Sequence, residues 1–281
     1  MSIVLMKKFI SASYAAMKIL EERVAVSKQF IRDYHEANNN DDKRLEFEGV
    51  VSKFVAIKRY EFDRMGFNEY LMDLGVLPII ANVDFKQLTP MEAEVLSPYK
   101  IIDRYARYTP NKAGRVDASF VAEEMSGLDL FQHIRRWKTN KSHYDTLEAE
   151  WEKARMAALK SPSLMKNKKL GYSKGSVSLI DKVAEVKPTE VLRYLGSDVL
   201  IRTAKVEMSL IDEYVAMGYL LKTDIEHFRK VVDVELRYMV TLVEEENKLF
   251  SFFHNRQKRL LQLQECSTVP KDSYRTKLLL L

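Results

Sequence analysis

A chain of 281 residues is long enough for one large domain or two ordinary ones, and either can bury a sizeable core. Hydrophobic content of 46% beside 30% charged residues is ordinary for a globular protein, and a net charge of +5 is too small to define a partner by its total. The single cysteine, Cys266, excludes an intrachain disulfide and a cysteine metal cluster, and no apolar run reaches the roughly 18 residues of a membrane span.

Lys7-Lys8 followed by Phe9 to Met17 has the outline of a secretory signal, but its apolar core is short and is cut by Lys18. The pattern continues instead as an amphipathic helix over 2–37, with Leu5, Phe9, Ala12, Ala16, Ile19, Val26, Phe30 and Ile31 near one face. A soluble protein of the cytoplasm or another reducing, intracellular setting is expected. Asn38 to Asp42 reads as a turn, because short polar side chains compete with the helical backbone. A second helix is predicted from about 43 to 74, carrying Leu45, Val51, Phe54, Val55, Phe62 and Leu71, which makes 2–74 an antiparallel helical hairpin. Residues 76–83 form the one apolar stretch that reads as non-helical, either a buried extended segment or a short edge strand, since Pro78 excludes a central one. Thr89-Pro90-Met91-Glu92 is a helix start with its cap, and shorter helices fill 90–160, among them 117–125, 128–138 and 142–160.

Residues 161–176 change composition, with Pro162, Gly171, Gly175, several serines and four lysines, and read as a basic flexible connection. Beyond it, 177–265 is predicted as a C-terminal helical hairpin of 198–221 against 223–265, followed by a tail over 266–281 that ends in four leucines. Thr223-Asp224-Ile225-Glu226 has the form of a capping box, and neither Gly nor Pro follows until Pro270. Ile225, Phe228, Val232, Leu236, Met239, Val243, Phe250, Phe253 and Leu261 follow a 3.6-residue period, so the last helix would run roughly 60 Å. The fold predicted is mainly α: a multi-helix bundle of antiparallel hairpins with a very long C-terminal helix.

No chemistry-bearing motif accompanies this architecture. The five histidines lack His-Glu-x-x-His or Glu-x-x-His spacing, paired carboxylates such as Glu244-Glu245-Glu246 read as solvated faces, and Cys266 has no evident base. Catalytic residues, cofactors and metals are therefore predicted to be none. The function predicted is a non-enzymatic structural or assembly protein, a scaffold, connector or component of a larger particle. It would form a homo-oligomer or dock on other protein subunits through Leu242, Leu249, Phe250, Phe253, Leu260 and Leu263. The alternative is a nucleic-acid or polyanion-binding module. From Lys153 to Ile180 there are seven cations and no carboxylate, with Lys160, Lys166, Lys168, Lys169 and Lys174 as the contact residues. Arg104, Arg107, Lys112 and Arg115 also alternate with Tyr99, Tyr105 and Tyr108, as a surface that pairs phosphate contacts with base stacking would require.

Overall fold

The computed structural model describes residues 2–38 and 44–266. The chain begins with helices Ser2–Ala12 (α1) and Tyr14–Ala37 (α2), then a hairpin of Leu45–Phe47 (β1) and Val50–Phe62 (β2). Arg64–Asp73 (α3), Leu77–Ile80 (α4), Ala81–Asp84 (β3), Pro90–Leu96 (α5) and Arg104–Pro110 (β4) follow. Next come Phe120–Met125 (α6), the long Leu130–Leu159 (α7), Pro162–Asn167 (α8), and the strands Lys169–Tyr172 (β5), Gly175–Asp181 (β6) and Glu185–Val186 (β7). The last third holds Pro188–Leu195 (α9), Ser197–Thr203 (α10), Lys205–Val206 (β8), Met208–Ala216 (α11), Lys222–Glu226 (α12), Arg229–Leu242 (β9) and Val243–Cys266 (α13). Among the described residues these strands form three three-stranded sheets, ordered β1-β2-β9, β7-β3-β8 and β4-β6-β5.

The fold is thus mixed α and β, not the mainly α bundle that the helical period predicts. Both predicted hairpins fail for the same reason: β-branched residues are concentrated where the pairing forms. In place of a helix over 43–62, Val50, Val51 and Val55 sit in β2, and Phe47 pairs with Val50 across a two-residue turn. Glu48 and Gly49 hold that turn with φ of 48° and 76°, the left-handed pair that a tight hairpin needs. In place of one helix over 223–265, β9 takes Arg229 to Leu242, and α13 is a separate helix of 24 residues. Val232, Val234, Leu236, Tyr238, Val240 and Leu242 alternate along β9, a period of two that coexists with the helical one. Thr223 makes no capping box; its hydroxyl points to the Asp224 carboxylate at 3.4 Å.

The segment predicted as a flexible connection is built into α8 and the β5–β6 hairpin, in register from Lys169 opposite Ser178 to Tyr172 opposite Gly175. Gly175, at φ 152°, lies so close to the Thr109 carbonyl that a Cβ there would stand 2.4 Å from it, which is why this turn takes glycine. The extended stretch near 76–83 is half helix: Pro78 falls in the first turn of α4, where its missing N–H costs nothing, and β3 starts only at Ala81. β3 is the central strand of its sheet, between β7 and β8. The helix start at Thr89 forms as read, with both hydrogen bonds of the capping box to Glu92. The break predicted between 138 and 142 is absent, because α7 starts from its own box of Asp129 and Gln132 and runs 30 residues. Residues 39–43, most of the predicted turn, and the tail from 267 lie outside the described residues.

The chain forms two compact units. The first comprises Met1–Ala56, Arg104–Lys182 and Leu236–Lys248. In it α1 and α2 pack along α7, and the β4-β6-β5 sheet closes a core of Met6, Phe9, Ile10, Met17, Ala106, Ala154, Ala158, Leu164 and Val177. Ile31, Val50, Ile134, Trp137 and Tyr238 make a smaller core where the β1-β2-β9 sheet meets α2 and α7. The second unit comprises Ile57–Asp103, Val183–Glu235 and Leu249–Leu281. It surrounds β3 with helices, burying Phe67, Leu71, Leu77, Val83, Leu96, Val191, Leu200 and Ile211.

Candidate functional site

Two surfaces stand out once the polar groups are accounted for. The histidines do not gather. His35 is buried, with its Nε2 3.0 Å from the Ser52 hydroxyl, and His133 is buried in a parallel stack on Phe30, ring centroids 3.9 Å apart. Among the described residues no three His, Cys, Asp or Glu side chains come together as metal ligands would. No helix of the described residues is long and apolar enough to cross a membrane.

The first surface is cationic and lies in the first unit, which holds 27 Lys and Arg against 20 Asp and Glu, a net +7. The remaining segments hold 18 against 20, a net −2, so the charge excess of the chain is confined to one unit. Strand pairing decides which cations share a face. Ala106, Tyr108, Leu170, Val177 and Leu179 pack on the helices, so alternation turns Tyr105, Arg107, Thr109, Ser176, Ser178 and Lys169 to the opposite face. Arg107 and Lys169 are both cross-strand partners of Ser178, so two cations 62 positions apart in the chain stand in one row. None of these outward positions is a carboxylate.

Arg107, Lys160, Lys166, Lys168 and Lys169 are exposed and make no ion pair among the described residues. Lys174 is different, because its ammonium donates to the Ser11 carbonyl at 2.9 Å. Another run of basic residues, Arg135, Arg136, Lys138 and Lys141, is largely paired in place. Arg135 pairs with Glu48, Arg136 with Glu124 and Lys141 with Asp145. Beside the free edge of β4 lies an open hollow of about 200 Å³ lined by Tyr14, Lys18, Tyr105, Tyr108, Trp151 and Arg155. Arg155 donates to the Ala106 carbonyl at 3.3 Å and pairs with Glu152, and Lys18 pairs with Glu21, so Arg107 is the lining cation without an ion pair among the described residues.

The second surface is apolar. The start of α13 is held by Glu246, which the sequence presents as a solvated charge; it is 3% exposed and paired with Lys53 at 2.5 Å and Arg44 at 2.7 Å. The Arg44 hydrogen bond, joined by Lys53, holds its carboxyl below the ordinary glutamate value against the opposing effect of burial. Beyond it Leu249, Phe250, Phe252 and Phe253 are all between 50% and 60% exposed. On a helical wheel these four fill one arc, and Asn247, Lys248, Ser251, His254 and Asn255 fill the other. Of the predicted interface residues, Leu249, Phe250 and Phe253 therefore fall on one partly exposed arc. Leu242 belongs to β9 and packs against the smaller core of the first unit. Leu260 and Leu263 fall on α13, but their side chains lie outside the described residues. Phe252 escapes a reading by stripe because it flanks the line through Leu249 and Phe253.

No protein-family model, curated protein or solved structure matches the chain.

Proposed function

We propose that this protein is a non-enzymatic assembly component that self-associates through α13. The observation that carries the reading is the exposed apolar arc of Leu249, Phe250, Phe252 and Phe253 on a helix whose other arc is polar. Large apolar patches on soluble proteins mark interaction sites, and covering a half-exposed Leu or Phe stabilises a complex by about 1 kcal/mol.

The sequence itself favours a second copy as the occupant. Residues 247–255 read Asn-Lys-Leu-Phe-Ser-Phe-Phe-His-Asn, which is close to mirror-symmetric about Ser251. An antiparallel copy related by a twofold axis at the level of Ser251 sets Leu249 against Phe253 and Phe250 against Phe252. Apolar then meets apolar over the whole arc, which is the self-complementarity a twofold interface demands. Light scattering after size exclusion, from low to high micromolar protein, is expected to show a defined oligomer. Leu249→Lys or Phe253→Lys is expected to return it to a monomer with its circular dichroism unchanged. A folded wild-type monomer at every concentration would overturn the reading.

A further inference from the structure

We propose that the outward face of the β4-β6-β5 sheet binds single-stranded nucleic acid, with Arg107 and Lys169 on phosphates and Tyr105 stacking on a base. The row Arg107–Ser178–Lys169 spans two strand spacings, about 10 Å, so one extended strand can lie across it and meet both cations. Serine and threonine hydroxyls at 109, 176 and 178 lie on the same face as further phosphate donors. The face carries no carboxylate, and its two cations have no ion pair among the described residues, so neither must be freed from a partner before it neutralises a phosphate. Exposed Lys166 and Lys168 continue the positive surface past the start of β5, the latter at the left-handed end of α8.

The aromatic component separates a single strand from other polyanions. Tyr105 shares the face with Arg107 and also lines the hollow with Tyr14, Tyr108 and Trp151. Trp151 lies 5.6 Å from Tyr14 and 6.2 Å from Tyr108 by ring centroids, so an unpaired base turned off the row meets aromatic surface. Stacking of that kind tolerates any base and requires that the base be unpaired. A duplex or polyphosphate uses the cations alone.

The test is fluorescence anisotropy of a labelled 20-mer of deoxythymidine with the full chain at 50 and 300 mM salt. Wild type is expected to bind at 50 mM and to weaken steeply with salt. Arg107→Glu with Lys169→Glu is expected to weaken binding at least tenfold, and the milder Arg107→Gln with Lys169→Gln to flatten the logarithmic salt slope by about 1.4. Tyr105→Ala is expected to weaken binding severalfold with the slope unchanged. Absence of wild-type binding at 50 mM would overturn the proposal. So would undiminished binding by the folded glutamine variant, an equal loss from Lys58→Glu with Lys86→Glu, which replace two exposed lysines of the second unit, or displacement by duplex DNA or polyphosphate as effective as by single strand.

Discussion

At the scale of single residues, Glu246 and His133 are buried titratable groups with opposite requirements. Glu246 is charged and paired with Lys53 and Arg44, so Glu246→Gln removes the charge that both cations share, while Arg44 keeps its pair with Glu46. The exposure of Arg44 and its second pair with Glu46 make the cost smaller than that of breaking a fully buried pair, and it is read as a lowered urea midpoint at pH 7. The lowered carboxyl of Glu246 also gives acid sensitivity a sign. The unfolded chain takes up this proton near pH 4.5, before the folded protein does, so the stabilisation is full above that pH and is lost as pH falls through the folded value. Urea midpoints at pH 7 and pH 4 should therefore differ less in Glu246→Gln than in wild type. For His133, burial pushes the imidazole below its ordinary 6.5, with Asp129 opposing only in part. The unfolded chain then binds a proton that the folded one refuses, and stability falls as pH drops below about 6.5. His133→Phe keeps the stack on Phe30 and should reduce the loss of urea midpoint between pH 7.5 and 5.5; an unchanged loss would remove His133 from the account.

At the scale of elements, the β1–β2 hairpin depends on backbone conformation more than on contacts. Gly49 sits at φ 76° with only the Lys138 ammonium near the position of a Cβ, 3.5 Å away. Gly49→Val should therefore cost about 1–2 kcal/mol through the left-handed conformation itself, read as a lowered urea midpoint. The contrast with the helix starts explains how much of the fold is legible in the sequence. Thr89-Pro90-Met91-Glu92 is local chemistry, complete within four residues, and it forms as read. Residues 229–242 satisfy two periods at once. Tyr238, Val240 and Leu242 face the smaller core, while Val232, Val234 and Leu236 on the same alternating face are between 51% and 57% exposed. Only pairing with β2, a strand far away in the chain, decides for strand, and no local signal carries that. The cationic face shows the same limit. Its lysines and Arg107 are visible as composition, but the row through Ser178 exists only after β4, β5 and β6 are in register.

At the scale of the whole molecule, charge and exposed apolar surface are assigned to different units. The first carries the net +7 and the cationic sheet face; the second carries the net −2 and the exposed arc of α13. A dimer formed through α13 carries two copies of the sheet face. Once the first face is engaged, binding of the second becomes intramolecular, and its strength depends on whether the strand can span both. A short oligonucleotide that fills one face should bind wild type and Phe253→Lys equally. A long one should bind wild type at least tenfold more tightly than the short one, and Phe253→Lys should lose that gain. Equal gains with length in both proteins would mean that self-association and strand binding are uncoupled. A loss of short-oligonucleotide binding in Phe253→Lys would place α13 in the binding surface itself.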